Sequence, residues 1–230
     1  MLPSFALLVM GACSSPTNKT DRGEENEGRG NESEWQQLIQ DNSTAGWHSY
    51  LGDSITGWEV RDGVLFTFGN NGDIVTDEVY ENFELSLEWM IEEEGNSGVF
   101  YHVDEKPENA RIHVTGPEFQ IIDDFNYPQE LTDEQKTGAL SDVIAPAVAT
   151  VNPVGEWNET KIIVNDSAVE HWLNGKKILE YTLDSDELKE LIANSKFESL
   201  PGFAKAGKGR IGLQDHGDPV YYKNVKIKKL

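Results

Sequence analysis

The chain has 230 residues and a formal net charge of −22, with 41 acidic against 19 basic residues. Counterion release at phosphates needs clustered Lys and Arg. The basic cluster "KNVKIKK" at 223–229 alternates like a terminal strand with a solvated face, so nucleic acid is excluded as a partner and a neutral or cationic ligand suits the field.

Residues 1–12 of "MLPSFALLVMGAC" are apolar, uncharged and too short to span a bilayer, and read as a secretory signal peptide. Gly11 and Ala12 stand just before Cys13, an arrangement similar to a bacterial lipobox, although Met10 occupies the place where Leu is usual. Cys13 would then be the lipidated first residue of the mature chain; a buried N-terminal strand is the alternative. Cys13 is the sole cysteine, so no intramolecular disulfide is available and stability must come from a core. Residues 13–34 contain no large apolar side chain and read as a flexible tether. Membrane contact is thus expected through the lipid anchor only, at the cell envelope, periplasmic or on the outer-membrane surface. Residues 35–230 suit one domain.

Within that domain, "SEWQQLI" (33–39) predicts a helix with Ser33 as a possible cap. "GVLFTFG" (63–69) predicts a strand. "FELSLEWMI" (83–91) alternates strictly, with Phe83, Leu85, Leu87, Trp89 and Ile91 on one face. "SGVFYHV" (97–103), "PEFQIID" (117–123) and "TKIIVN" (160–165) follow as strands. "AVEHWLNGKKILEY" (168–181) predicts a hairpin turning at Asn174-Gly175. A second helix is expected over 184–195, capped by Ser185 or Asp186, with Leu188, Leu191 and Ile192 as its apolar stripe. "GRIGLQD" (209–215) and "VYYKNVKIKKL" (220–230) complete the strands. Many short strands, few helices and no βα alternation predict an all-β fold, a jelly-roll sandwich of two antiparallel sheets with one or two short helices.

The five histidines form no H-x-x-x-H pair, there is no CxxC, and "DDFNYPQELTDE" does not match a calcium loop. No cofactor is required by these patterns; a divalent metal held by scattered ligands stays open. The E-x-D-x-x-E pattern by which jelly-roll glucanases project acids from one strand is absent. Other polar residues interrupt or end apolar strands. Glu118 and Gln120 share one face of 117–123, with Phe119, Ile121 and Asp123 on the other. His171 shares a face with Val169 and Leu173, opposite Glu170 and Trp172, and reads equally as a satisfied structural histidine. Gln214, Asp215 and His216 end a strand before a Gly-Asp-Pro turn, and His216 reads as well as a turn-stabilising group.

The ordered set "DGVLFT", "NFELSLEW", "GNSGVFYH", "GPEFQIIDD", "KTGAL", "GEWNETKIIV", "VEHWLNGKKILEY" and "IGLQDHGDPVYYKNVKI" resembles the 3-keto-disaccharide hydrolase family from about Gly46 to Leu230. The resemblance implies a concanavalin-like jelly roll that cleaves 3-keto-disaccharides or 3-keto-glycosides, often on a lipoprotein. It also implies a substrate oxidised by a separate sugar 3-dehydrogenase. Matched by position, Asn96, Glu118, Gln120, Asp123, His171, Gln214, Asp215 and His216 fall on recurrent family positions, whereas His102 stands where many relatives have Arg. A C3 ketone acidifies the C2 hydrogen and makes the glycosidic oxygen on C1 a β leaving group. Elimination followed by water addition would need a base, an enolate stabiliser and an acid. On that reading His171 or His216 is the base and Glu118 the acid or a polar anchor. Gln120, Gln214 or a bound ion would steady the enolate, and Trp172 or Tyr101 could stack on the sugar. A non-catalytic carbohydrate-binding module on the same fold is the alternative. Glu118 and Gln120 are expected to face a groove on the concave sheet with Phe119 and Ile121 in the core, the reverse assignment staying open.

Overall fold

The computed structural model describes residues 34–148 and 150–230. The expected signal peptide, the expected Cys13 anchor, nearly all of the expected tether and the expected Ser33 cap lie outside the described residues.

The elements in chain order are β1 (Gln36–Gln37), β2 (Trp47–Ser49), β3 (Trp58–Arg61), β4 (Val64–Thr67), β5 (Ile74–Thr76), β6 (Phe83–Ile91), β7 (Asn96–Val103) and β8 (Glu118–Ile122). They continue with β9 (Asn158–Asn165), β10 (Ala168–Leu173), β11 (Lys176–Thr182), the helix α1 (Asp186–Ala193), β12 (Arg210–Leu213) and β13 (Val220–Lys229). The strands form an eight-stranded antiparallel sheet, ordered β11-β10-β9-β6-β13-β4-β3 with β1 beside β13, and a five-stranded one, ordered β2-β5-β12-β7-β8. This is the predicted two-sheet sandwich.

Alternation decides which face each sheet buries. In β6, Phe83, Leu85, Leu87, Trp89 and Ile91 are buried between the sheets, while Glu84, Glu88 and Met90 are only half-buried. Across the interior stand Val99, Tyr101, Phe119, Ile121, Ile211 and Leu213 of the smaller sheet. The Asn174-Gly175 turn has φ of 48° and 77°, the left-handed pair that two-residue hairpins require. In α1, the Ser185 hydroxyl accepts the Leu188 N–H at 3.1 Å, and Asp186 and Glu187 fill the first turn. Of its expected apolar stripe Leu188 is buried and Leu191 exposed.

The helix predicted over 33–39 is corrected. Gln36 and Gln37 pair with Ile227 and Lys226 of β13, and the Leu38 N–H donates to the Val225 carbonyl at 2.8 Å. A seven-residue window is too short to hold a helix on propensity alone. The free edge of β13 offers its backbone ready partners, and Leu38 is buried in the core. Strands β2, β3 and β5 were not predicted; at three or four residues each they are shorter than any periodicity that sequence can display.

Candidate active site

The outer face of the five-stranded sheet divides into two halves. One is apolar: Val75, Phe100 and Val103 are covered by Ile112, which arrives on a short 3-10 turn at Ile112–Val114. The other half is polar. Pairing of Ile74 with Leu213 sets Asp73 beside Gln214. The Gln214 N–H donates to the Gly98 carbonyl at 3.0 Å, and Gly98 pairs with Gln120 of β8. Asp73, Gln214, Gly98 and Gln120 therefore form one row across four strands, about 4.8 Å apart at each step.

Glu118 leans into this row. A Cβ at position 98 would fall 2.1 Å from the Glu118 Oε1, so the carboxyl occupies the space that any side chain there would fill. That close approach explains the glycine. Burial pushes the Glu118 carboxyl up to about 8, reinforced by Asp142 and Asp73 and opposed by Lys196 and the Ser141 hydroxyl. At neutral pH it is a carboxylic acid that can donate a proton. Asp73 is raised to about 6 by burial, opposed by the Asp215 N–H, which donates to its Oδ1 at 3.0 Å, and assisted by the Asp215 carboxylate.

The outer edge of β8 is covered by the segment 138–141. Gly138 N–H donates to the Gln120 carbonyl at 2.9 Å and Ser141 N–H to that of Glu118 at 3.1 Å. The Gln120 Nε2 donates to the Ser141 Oγ at 3.3 Å. In front of Gln120 lies an open pocket of about 270 Å³, lined among others by Asn96, Ile122, Tyr127, Asp142 and Lys196. Asn96 Nδ2 donates to the Tyr127 hydroxyl at 3.2 Å, and Lys196 pairs with Asp142. Among the described residues none hydrogen-bonds the buried Gln214 Oε1.

The fold thus gathers Glu118, Gln120, Asn96 and Gln214 of the sequence candidates on one face, with Glu118 and Gln120 outward and Phe119 and Ile121 in the core. His216 stands at the rim on the loop after β12, exposed, its Nδ1 3.8 Å from an Asp218 carboxylate that also accepts the Asn96 N–H. The other candidates sit elsewhere. His171 is fully buried between the sheets, with its Nδ1 2.9 Å from the Gly138 carbonyl and its Nε2 2.8 Å from the Tyr101 hydroxyl. Nδ1 carries the proton and Nε2 accepts; burial lowers this histidine to about 4, which keeps it neutral. With both nitrogens engaged and no exposed surface, it offers nothing to a groove. Tyr101, the other partner of that bond, is likewise fully buried. His102 is buried against Phe83 and Tyr101, its Nε2 2.8 Å from the Glu81 carbonyl. Trp172 lies on the outside of the other sheet, under the Lys161 ammonium at 4.6 Å.

Asp123 and Asp215 approach the site but spend their oxygens on backbone. Asp123 accepts from the N–H groups of Glu94, Phe125 and Asn126 at 3.0–3.1 Å. Asp215 accepts from those of Asn70, Asn71 and Gly217 at 2.7–2.9 Å. Both fix loops around the groove. Sequence reading missed Asp73 and Lys196. Asp73 carried the same signal as Glu118, a carboxylate entering an apolar strand, but "GNNG" before it reads as a turn. Lys196 comes from the loop after α1, which no sequence pattern ties to β8. Among the described residues no group of three or more His, Cys, Asp or Glu side chains is placed to hold a metal ion.

Residues 34–228 match the model of the 3-keto-alpha-glucoside-1,2-lyase-like domain. The chain is 31% identical over 216 residues to a 3-keto-disaccharide hydrolase of Bacteroides thetaiotaomicron, covering 80% of this chain and 74% of the relative. A Parabacteroides distasonis crystal structure described as a candidate glycosyl hydrolase superposes with TM-score 0.82 at 41% identity, covering 85% of this chain and 94% of that one. A second from the same organism, described likewise, gives 0.69 at 28% identity, covering 86% and 100%.

Proposed function

The chain belongs to the 3-keto-alpha-glucoside-1,2-lyase-like family, and from that premise we propose that it cleaves the glycosidic bond of a 3-keto-disaccharide or 3-keto-glycoside at the polar half of its five-stranded sheet. One observation carries the reading: Glu118 is a carboxyl held protonated by burial, lying over Gly98 on the polar half of the sheet's outer face. Ordinary glycosidases need two carboxyls flanking an oxocarbenium-like carbon at a set separation. A 3-keto sugar does not, because its ketone already acidifies the C2 hydrogen. Besides a base at C2, such a bond needs a proton for the departing oxygen, and Glu118 is poised to give it. Gln214, in the row between Asp73 and Gly98, supplies an acceptor for a sugar hydroxyl. Gln120 and Lys196 face the pocket as the donors for charge that develops on O3. Water added to the resulting enone completes a net hydrolysis.

The substrate class requires a sugar 3-dehydrogenase upstream. We place the protein at the cell envelope, held through a lipid on Cys13; Cys13→Ser moving it out of the membrane fraction is the expected result, and continued retention would remove the anchor. The test of function is to incubate the pure protein with a disaccharide and with its 3-keto derivative. Reducing sugar released from the ketone and not from the parent is expected. Binding without release from either would make the protein a carbohydrate-binding module.

A further inference from the structure

We propose that Asp73, the carboxylate just before β5 on the same outer sheet face as Glu118, is the base that removes the C2 proton from the substrate; the assignment rests on the function proposed above. The reaction needs two groups on the same face, one to take a proton and one to give it. His171 has no surface on the groove, and His216 stands at the rim. Asp73 lies in the row that runs through Gln214 and Gly98 to Gln120, two strands from the glycine over which Glu118 lies. Asp73 and Gly98 thus stand roughly 10 Å apart between backbones, with Gln214 on the strand between them and all three on the outer face of the sheet.

Its bonding suits the role. Asp73 Oδ1 accepts the Asp215 N–H at 3.0 Å, which orients the carboxylate. Among the described residues no Lys or Arg forms an ion pair with it that would quench its basicity. The titratable groups that face it are Asp215 on the loop after β12, Glu118 on β8, Tyr50 after β2 and Tyr222 on β13. Burial and Asp215 together raise Asp73 to about 6, whereas Glu118 stands near 8. Between those values Asp73 is ionised while Glu118 keeps its proton, the separation that assigns base and acid to two carboxyls in one site.

The step balances. An Asp73 oxygen takes the proton from C2, and the C–H electron pair becomes the C2–C3 double bond of an enolate whose charge rests on O3. That pair then forms the C1–C2 double bond as the C1–O bond breaks, and the Glu118 proton passes to the leaving oxygen. The products are an enone and a free alcohol, with Asp73 protonated and Glu118 ionised. Water addition to the enone and proton exchange with solvent restore both.

The test uses a 3-keto-disaccharide deuterated at C2. Wild-type protein should release sugar with loss of label to solvent, and kcat/KM should fall below about pH 6. Asp73→Asn keeps the Oδ1 acceptor and should lower kcat by about 10²-fold or more with KM little changed, abolishing the acidic limb. Asp73→Ala should recover activity when formate is added, and Asp73→Asn should not. Asp73→Asn with near-wild-type kcat and an intact acidic limb would overturn the assignment. Cleavage by wild type with the label retained would overturn proton removal at C2 while leaving the hydrolase reading in place. No cleavage of the ketone by wild type would end both.

Discussion

A carboxyl and an amide set on alternate positions of an apolar strand cost folding energy unless something uses them. Glu118 makes that cost visible, since it is 6% exposed and makes no ion pair among the described residues. Glu118→Gln keeps its volume and its hydrogen-bonding reach but removes the transferable proton. Turnover of a 3-keto substrate should fall by about 10²-fold or more, and the decline of kcat/KM above about pH 8 should vanish. A pH–rate profile of the two proteins checks both. His171 should behave in the opposite way. His171→Ala would strand the Gly138 carbonyl and the bonded Tyr101–Tyr181 hydroxyl pair in the core. It should cost about 2–4 kcal/mol by urea unfolding while activity per folded molecule survives. Sequence presented both residues alike, as polar interruptions of apolar strands, because alternation says which side chains share a face but not which face is inward. Only the packing of β10 on the interior, and of Gly138 against it, separates a bonded core histidine from a group that meets substrate.

Elements set how finely the site can be placed. Strand β8 is a sheet edge, and the segment 138–141 closes it with hydrogen bonds to the Glu118 and Gln120 carbonyls. The two side chains are thereby fixed from behind, and Gly98 in β7 fixes Glu118 from below. Gly98→Ala should push the Glu118 side chain aside rather than break the sheet, because the atoms in the way, its Oε1, Cδ and Cγ, belong to a side chain and not to backbone. About 10²-fold loss of turnover is expected with a small change in melting temperature, since a shift of about 1 Å at a reacting group has that effect. Crystallography and activity on the same variant check it; full activity would detach Glu118 from the chemistry. The long alternating strands and the Asn174-Gly175 hairpin were legible in the sequence, since each carries its own period or turn chemistry. Strands of three residues were not. Neither was the short β1, whose pairing depends on an edge of β13 nearly two hundred residues away.

The molecule as a whole carries its charge outward and its unusual titrations inward, so its stability should depend on pH in a way that its acidity does not foretell. Glu118, ordinarily near 4.5, stands at about 8 in the fold. Between those values the unfolded chain has released a proton that the folded protein still holds. Stability therefore falls as pH rises across the interval, by up to about 1.4 kcal/mol per pH unit. Asp73, raised from 3.8 to about 6, acts in the same direction over a lower window. His171, lowered from 6.5 to about 4, acts in the opposite one. As pH drops below 6.5 the unfolded chain takes up the proton first, so its contribution is lost toward 4. Asp73 and His171 thus oppose each other below pH 6. Between pH 6.5 and 8 Glu118 acts without that opposition. His48 adds to the decline, because the Glu105 and Asp77 carboxylates outweigh its burial and raise it. Urea midpoints of wild type should therefore drop from pH 6.5 to 8, and Glu118→Gln should flatten most of that slope. A wild-type midpoint that holds or rises over this range would mean that Glu118 is already ionised at neutral pH, and with that the proton donor would be lost.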